Sequence, residues 1–405
     1  MIRNWLHAAL LCCLAASTGA AAQAQTLVLK GGSVYASPEA APIADAIVVT
    51  SAGTIAAVGR AGEVQIPADA RVIDCAGKTI VAGFWNSHVH FTEAAWNNAA
   101  KGPAAPLTAH MQAMLTRWGF TTVWDLGSNP AELLPLRQRV KEGEVLGPNI
   151  FFAGSIFPKD GHPAYLPAEL QLPQAATPER ATQLARTYAQ MELDGVKLFT
   201  GSYKGEDKPV VNMDAAIARA AVDVAHGKGR PVFAHPQNTA GIDVVIAAGV
   251  NVMAHTVTRQ TGYTAEQLAH FKQQNVALTP TLSLFAKLPV PATISARIVD
   301  NVVAQLKGFA ENDGTVLFGT DVGFTQLYDT TLEFELMRRA LSEREVLASL
   351  TTNPATYFKA AKKGRVEQGF DADLVVLDGD PAADVRNLAR VATTIRAGQV
   401  IYQKP

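Results

Sequence analysis

The chain has 405 residues, of which 48% are hydrophobic and 18% are charged, a composition typical of a globular protein and not of a disordered or fibrous one. Its formal charge of −1 at pH 7 provides no electrostatic attraction to nucleic acid or to an anionic membrane, so we expect a small-molecule substrate as the partner. The length favours one large domain with an accessory part.

The first 24 residues are typical of an export signal. A short basic start precedes an apolar stretch over residues 6–16, and small residues end in AQA at residues 22–24, an A-x-A cleavage pattern. The apolar stretch is shorter than the roughly 20 residues that span a bilayer, so we expect no membrane span. We predict a signal peptide over residues 1–24 and a periplasmic or secreted mature protein, in which Cys75 is the single cysteine.

Short β-rich runs that are interrupted by turn residues occur near both ends of the chain. Residues 25–80 contain TLVLKGGSVYAS and AIVVTSAGTIAAVGR, and residues 364–405 contain DADLVVLDGDP and ATTIRAGQVIYQ. Two distant segments of the same type are most simply explained as halves of one unit. We therefore predict a small β-sandwich domain that is formed by residues 25–80 and 364–405.

Residues 81–363 alternate short apolar runs with longer amphipathic stretches such as MDAAIARAAVDVAHGKG. Apolar strands separated by helices indicate parallel β/α units that are buried on both faces. Eight such runs, enough to close a (β/α)8 TIM-type barrel, are TIVAGFWNSHVH, TTVWDLG, NIFFAGS, DGVKLFT, RPVFAHP, VNVMAHT, VALTPTL and TVLFGTD. The predicted fold class is α/β, with the active site at the C-terminal ends of the barrel strands.

Side chains that can bind metal fall near the ends of these predicted strands. A single histidine beside an apolar run is most often a packed core residue, but several at the same edge of one barrel indicate a common site. Imidazoles and a carboxylate suit a divalent first-row metal, most often zinc. The predicted ligands are His88 and His90 of strand 1, Lys197 of strand 4, His235 of strand 5, His255 of strand 6 and Asp321 of strand 8.

Lys197 is the unusual member of this set, because an ammonium buried among cations is unfavourable. Burial favours the neutral amine, which can add carbon dioxide to form a carbamate, a bidentate anion that can bridge two ions. The alternative is that Lys197 forms a salt bridge or binds a substrate carboxylate, which leaves one metal.

In the two-metal interpretation, the carboxylated lysine lies between two divalent ions. The first ion is bound by His88, His90 and Asp321, and the second by His235 and His255. A bridging water is the predicted nucleophile, and Asp321 accepts its proton and passes it to the leaving group.

The motifs GFWNSHVHF, DGVKLF, FAHPQN, MAHT and LFGTDVG, followed by NPATYFKAAKKGRVEQGFDADLVVLDGDP, resemble those of the amidohydrolase superfamily. The resemblance is nearest to its imidazolonepropionase-like branch, which includes Xaa-Pro dipeptidases, and it covers nearly the whole mature chain. It implies a metal-dependent hydrolase of amide or similar bonds with the small sheet domain beside the barrel. It also implies that Lys197 is carboxylated and bridges two zinc ions.

Two further positions concern the substrate on the basis of this resemblance. His162 in FPKDGHPAY follows strand 3, where the dipeptidases carry a Gly-Gly-His loop whose histidine polarises the scissile carbonyl; only part of that loop is kept, and the alternative is an ordinary loop histidine. Gln237 stands near the place where the dipeptidases commonly have a tyrosine as oxyanion donor, and a glutamine would donate a weaker hydrogen bond. The run MAHT also replaces the usual EHG at strand 6.

Other residues near the predicted strand ends have two interpretations each. Asp125 either faces the site or caps the next helix. Trp85, Trp96 and Trp124 either line the pocket or pack in the core. The sequence has no GxGxxG after a strand, so no nucleotide cofactor is expected.

The predicted function is that of an exported metal-dependent amidohydrolase that cleaves an amide in a dipeptide or an N-acyl amino acid. One alternative is a mononuclear cyclic amidohydrolase or deaminase, in which Lys197 is unmodified. A second is a non-catalytic binding protein, which would require lost ligands. The sequence is compatible with a homo-oligomer, and it leaves open whether the scissile bond is an amide or an ester.

Overall fold

The computed structural model describes residues 26–405, in which short strands and helices alternate. The predicted signal peptide lies outside these residues. The strands are β1 (Leu27–Val34), β2 (Ile43–Ser51), β3 (Thr54–Arg60), β4 (Arg71–Asp74), β5 (Thr79–Ala82), β6 (Phe84–Val89), β7 (Phe120–Asp125), β8 (Asn149–Pro158), β9 (Gln174–Ala175), β10 (Gly195–Leu198), β11 (Gly201–Ser202), β12 (Val211–Asn212), β13 (Val232–Ala234), β14 (Val252–Met253), β15 (Ala277–Leu278), β16 (Leu374–Leu377), β17 (Val391–Arg396) and β18 (Gln399–Gln403).

The helices lie mainly between the strands of the middle section. They are α1 (Ala104–Met114), α2 (Pro130–Lys141), α3 (Pro178–Gln190), α4 (Ala215–His226), α5 (Thr239–Ala248), α6 (Ala265–Gln274), α7 (Leu282–Ala286), α8 (Ala292–Glu311), α9 (Thr331–Arg338), α10 (Glu343–Leu350) and α11 (Thr352–Tyr357). Short 3-10 helices span Ala94–Trp96, Thr116–Trp118 and Val385–Ala389. In residues 26–405, no helix has both the length and the apolar character needed to cross a membrane.

Strands from the middle of the chain form a curled parallel sheet in the order β15-β14-β13-β10-β8-β7-β6. Every neighbouring pair in this order is parallel, and seven of the eight predicted runs supply these strands. The eighth run makes isolated parallel bridges at both edges of the sheet, from Val316 to Leu278 and from Val322 to Val89. This arrangement agrees with the predicted α/β fold class and with a TIM-like barrel.

The barrel interior is packed with apolar side chains, and aromatic residues close its N-terminal end. Trp85 stacks on Phe151 and Phe358, with ring centroids 5.9 and 6.0 Å apart, and Trp124 packs against the same cluster. The hydroxyl of Tyr357 contacts the backbone carbonyls of Asn251, directly before β14, and of Asn275, two residues before β15. Trp85 and Trp124 therefore pack in the core, and the C-terminal strand ends are left to form the site.

Strands from both ends of the chain share a second sheet, in the order β18-β17-β16-β5-β1-β2-β3, with β4 beside β1. The antiparallel pairing of β16 with β5 joins the C-terminal segment to the N-terminal one. Apolar residues from both segments, among them Leu29, Ile80 and Leu374, form a separate buried cluster. The sheet is mixed, since β1 is parallel to β4 and β5 and the other pairs are antiparallel. The two-layer sandwich stays a prediction.

Candidate metal centre and active site

His88 and His90 lie at the C-terminal end of β6, and their Nε2 atoms are 3.3 Å apart. The side chain of His88 is 1% exposed and that of His90 is 16% exposed. Nδ1 of His88 lies 2.8 Å from the backbone carbonyl oxygen of Ala254. Because a carbonyl only accepts, Nδ1 carries the proton and Nε2 of His88 keeps its lone pair.

The carboxylate of Asp321 faces both imidazoles, with Oδ1 3.0 Å from Nε2 of His90 and 3.2 Å from Nε2 of His88. Its backbone N–H donates to the carbonyl of His88 at 2.9 Å. The φ of Asp321 is 59°, a left-handed conformation that is uncommon outside glycine and concentrates at functional sites. At Gly323, where φ is 97°, a Cβ would lie 1.7 Å from the carbonyl oxygen of His90, so this close approach requires glycine.

Asn86 joins the two strand ends that carry these ligands. Its Nδ2 donates to Oγ1 of Thr320 at 2.8 Å, and its Oδ1 accepts from the backbone N–H of His88 at 3.2 Å and of Thr320 at 3.3 Å. The side chain is fully buried. Sequence reasoning missed this role, although Asn86 lies within the run FWNSHVH two residues before the first ligand.

His255 follows β14 and lies across the barrel mouth from β6. Its Nδ1 is 2.7 Å from Oγ1 of Thr281, and its Nε2 is 3.9 Å from Oδ2 of Asp321. One ligand atom each from His88, His255 and Asp321 lie within 4.8 Å of one another, which is a spacing suited to a metal ion. Sequence reasoning did not identify Thr281.

His235 follows β13, and its ring lies 4.6 Å from that of His255 and stacks on Phe199 at 5.0 Å, measured between centroids. Nε2 of His235 is 3.0 Å from Oε1 of Gln237. An amide oxygen only accepts, so Nε2 carries the proton and Nδ1 is the nitrogen available to a metal. Gln237 is thus a partner of a predicted ligand, and its amide NH2 remains free to donate.

Lys197 lies in β10, and its side chain is among the largest that are fully buried. Burial lowers the pKa of its amine to about 7, although the charges of Asp321 and Asp125 act in the opposite direction. At mildly alkaline pH the amine is therefore largely neutral, which is the form that adds carbon dioxide.

The electrostatics of the cluster favour a bound cation. Burial lowers the pKa of His88 to about 4 and of His235 to about 3, and it also lowers the pKa of His255, so these imidazoles are neutral. Burial opposes ionisation of Asp321, but the neighbouring imidazoles of His88 and His90 hold its pKa well below the usual range.

The buried Oδ1 of Asp321 has no hydrogen-bond donor, although two ring nitrogens lie within 3.2 Å. Lone pairs and a carboxylate this close repel one another unless a cation lies between them, so the side chains fit a divalent metal.

His162 is not part of this cluster. Its Nδ1 lies 3.1 Å from the carbonyl of Pro163 and its Nε2 lies 3.2 Å from the carbonyl of Leu170, so both nitrogens contact the loop that carries them. In the same loop, Tyr165 packs edge-to-face on Phe324 with ring centroids 5.3 Å apart. Desolvation by the surrounding protein and then the charge of Asp321 raise the pKa of Tyr165, so its hydroxyl stays protonated although the residue is 39% exposed.

The sequence left two roles open for Asp125, one in the site and one in the local structure, and its hydrogen bonds show the structural one. Its Oδ1 accepts from the backbone N–H groups of Gly127 and Ser128 at 2.9 and 2.8 Å, and its Oδ2 accepts from that of Phe91 at 3.0 Å. The helix itself is capped by Asn129. Asp125 therefore fixes the turn after β7 against the segment that follows His90.

Trp96, the third tryptophan considered, is 1% exposed and packs edge-to-face on Phe91 and on His110. A polar network that the sequence did not predict lies beside it. Oε2 of Glu93 accepts from His110 Nε2 at 2.7 Å and from the hydroxyl of Tyr328 at 2.5 Å. These contacts join the segments that follow the two ligand-bearing strands, β6 and the eighth run.

The family model described as "Amidohydrolase family" matches residues 79–401. The crystal structure of a Bifidobacterium longum protein assigned as a prolidase superposes with a TM-score of 0.80 at 25% identity, and the alignment covers 95% of this chain and 97% of that chain. A Xaa-Pro dipeptidase with bound methionine in the active site superposes with a TM-score of 0.79 at 21% identity, covering 94% of this chain and 100% of that chain.

The ochratoxinase of Aspergillus niger is 21% identical over 373 residues, which cover 80% of this chain and 76% of the ochratoxinase. Its crystal structure superposes with a TM-score of 0.75 at 18% identity, over 94% of this chain and 96% of that chain. The dipeptidase and ochratoxinase structures, at below 25% identity, bear on the fold alone.

Proposed function

Since the chain belongs to the amidohydrolase family and is a hydrolase of carbon–nitrogen bonds, we propose that it cleaves the amide of a dipeptide or of an N-acylated amino acid with two divalent metal ions, of which zinc is the first candidate. The observation that carries the proposal is the buried Oδ1 of Asp321, which has no donor and faces Nε2 of His88 and of His90. Such a group of acceptors is stable when it shares a cation.

The ligand atoms follow from the hydrogen bonds of each side chain. His88 offers Nε2 because Ala254 holds its other nitrogen, and His255 offers Nε2 because Thr281 holds its Nδ1. His235 offers Nδ1, because Gln237 accepts from its Nε2. In the proposed site, His88, His90 and Asp321 would hold one ion and His235 and His255 the other, with carboxylated Lys197 as a ligand to both.

Bound divalent metals would lower the pKa of an attacking water and polarise the scissile carbonyl. Asp321 would accept the proton of that water and return it to the leaving amine. Its second oxygen, Oδ2, lies 3.9 Å from Nε2 of His255 and makes no hydrogen bond to it, which supports this role. The NH2 of Gln237 and the hydroxyl of Tyr165 are available donors to a developing oxyanion. A role for His162 in polarising the carbonyl stays a prediction.

An apolar entrance supports a substrate with an apolar side chain. Tyr165 and Phe324, at the mouth beside Asp321, are 39% and 42% exposed, and Leu170 of the same loop as Tyr165 is 45% exposed. The relative from Bifidobacterium longum that is assigned as a prolidase supports the dipeptide class. With the N-terminal signal pattern, we propose that the enzyme acts outside the cytoplasm.

A single-metal amidohydrolase is the second candidate. The group formed by His88, His255 and Asp321 has the spacing of a one-ion site, and Lys197 would then remain an unmodified amine. Such a one-metal enzyme would open a cyclic amide or deaminate a ring, which is the alternative function predicted from the sequence.

The test compares hydrolysis of Xaa-Pro dipeptides, other dipeptides, N-acyl amino acids, lactones and cyclic ureides by wild type and by Lys197→Ala. The exposed Lys208→Ala on the neighbouring loop is the matched control. We expect wild type and Lys208→Ala to hydrolyse the amide and Lys197→Ala to be inactive. Short carboxylic acids, supplied as substitutes for the carbamate, should restore part of the activity of Lys197→Ala. Full activity in Lys197→Ala would reject the bridged site, and hydrolysis of ureides alone would favour the single-metal candidate.

A further inference from the structure

Glu333 is a fully buried carboxylate in α9, the helix that follows the loop after Asp321. Among residues 26–405, no lysine, arginine or histidine lies within ion-pair distance of it. A carboxylate buried without a cation is costly, and the hydrogen bonds that it accepts offset part of that cost. Oε1 accepts from the backbone N–H of Leu282 at 2.8 Å, and Oε2 accepts from that of Ser283 at 2.6 Å.

These two backbone groups directly follow Thr281, which has a strained backbone. Thr281 has φ 49° and ψ 50°, the left-handed conformation that a β-branched residue rarely adopts. Such a conformation persists only where the surroundings hold it. The paired bonds from Glu333 fix the next two residues and so hold Thr281 in place.

Thr281 in turn determines which nitrogen of His255 carries a proton. The hydroxyl of Thr281 donates to the carbonyl of Pro280 at 2.9 Å, and its oxygen lies 2.7 Å from Nδ1 of His255. Because the hydroxyl hydrogen is already used, Oγ1 accepts from Nδ1–H, and Nε2 keeps the lone pair that faces Asp321 at 3.9 Å.

We propose that Glu333 is a positioning residue of the metal centre, which acts through the 281–283 segment to hold His255 in the tautomer and orientation that present Nε2 to the metal. The proposal rests on the metal centre proposed above and adds the residue that supports one of its ligands. His88 and His235 have direct partners in Ala254 and Gln237, whereas the partner of His255 is a strained residue that needs support.

The first test uses metal-free protein and therefore does not depend on activity. Two-bond 1H–15N NMR spectra of the imidazoles at pH 8.5 report the tautomer of each histidine. The signal of His255 is assigned as the one that disappears in His255→Gln. We expect the Nδ1–H form in wild type and in Thr281→Ser, which keeps the hydroxyl. We expect mixed tautomers or a broadened signal in Glu333→Gln and in Thr281→Ala. A single Nδ1–H form in Glu333→Gln would overturn the proposal.

The second test measures zinc affinity by chelator competition without substrate. Loss of a partner of this kind weakens metal binding roughly 10–100-fold. We expect that loss in Glu333→Gln, with wild-type affinity in the control Glu335→Gln, which changes an exposed glutamate of the same helix. The double variant Glu333→Gln/Thr281→Ala should bind zinc no more weakly than Thr281→Ala alone, because both changes break one route. The proposal would be overturned if the double variant bound zinc more weakly than Thr281→Ala alone. It would also be overturned if Glu333→Gln and Glu335→Gln lost zinc affinity equally.

The two tests separate this proposal from the proposed function. Wild-type protein that binds zinc but hydrolyses no amide would contradict the function and leave the Glu333 route intact. Wild-type protein with the expected tautomers but no zinc affinity would overturn the metal centre itself. Circular dichroism confirms that each variant is folded, and Thr281→Ala tests the same route if Glu333→Gln does not fold.

Discussion

The backbone carbonyl of Ala254 lies 2.8 Å from Nδ1 of His88, so the residue that directly precedes one predicted ligand fixes the proton of another. His255 follows Ala254 at the end of β14, and its ring lies 4.6 Å from that of His88. A ring nitrogen held by a carbonyl orients the other nitrogen toward a metal and makes it a better ligand. The barrel strands thus orient the ligands of their neighbours as well as their own.

Zinc should stabilise the chelator-treated protein against heat. A ligand that binds only the folded state adds about 4 kcal/mol when its concentration is a thousand times its dissociation constant. We expect a higher melting temperature on adding zinc to wild type and to His270→Ala, whose imidazole is 40% exposed on α6. In His88→Ala the shift should be reduced or lost. An equal shift in His88→Ala and wild type would show that zinc binds elsewhere.

Asp321→Asn should lower kcat by about 10²- to 10⁴-fold, the usual contribution of a general base. Asparagine tolerates the left-handed backbone at φ 59°, so the loop should keep its shape. The loss then reports the missing carboxylate. Steady-state kinetics on the best substrate check this, and a kcat within threefold of wild type would assign the proton transfer to another residue.

Asn86→Ala should destabilise the fold as well as the site. The change removes three hydrogen bonds in a fully buried position and leaves the backbone N–H groups of His88 and Thr320 without an acceptor. We expect a loss of about 2–4 kcal/mol in the free energy of unfolding. Urea titration measures it, with the exposed Asn97→Ala as control. Equal stability of the two variants would mean that other groups or water replace these bonds.

The pH dependence of stability should change in Glu333→Gln. Burial raises the pKa of Glu333 to about 7 from its ordinary value of 4.5, despite the opposing hydrogen bonds from Ser283 and Leu282. Because the pKa of Glu333 is raised in the folded state, the contribution of its protonated form to the free energy of unfolding is fully present below pH 4.5 and is lost as the pH rises through about 7.

Between pH 5 and pH 8, we therefore expect the free energy of unfolding of wild type to fall relative to Glu333→Gln by on the order of 3 kcal/mol. Urea titrations of both proteins at each pH measure this difference. The contributions of the other titrating groups cancel because both proteins contain them. Parallel pH profiles would mean that Glu333 has the same pKa in the folded and unfolded chains.

The barrel strands and the ligands at their ends were predictable because they follow a repeated sequence pattern. Apolar runs followed by polar residues indicated the parallel strands of β6, β7 and β10, because strands covered by helices on one side and a packed interior on the other are apolar throughout. The same pattern placed His88 and Asp321 at one end of the barrel. The eighth run was also predicted, although the structure joins it to its neighbours through isolated bridges.

The supporting contacts were not predictable from the sequence, because they depend on the three-dimensional arrangement. Thr281 and Glu333 are 52 residues apart and carry no local motif, so only the folded chain shows that one holds the other. Gln237 was predicted as an oxyanion donor, and the structure adds its contact with His235, which a sequence pattern does not encode. Trp85 and Trp124 had two interpretations, which the packing of the barrel interior decided.

The metal content of the purified protein tests the central claim most directly. Inductively coupled plasma mass spectrometry on protein expressed with zinc should find close to two ions per chain, and Lys197→Ala should lose at least one of them. A wild-type protein that contains no bound divalent metal, and takes up none after dialysis against zinc, would contradict the account of His88, His90, His235, His255 and Asp321 as a metal centre.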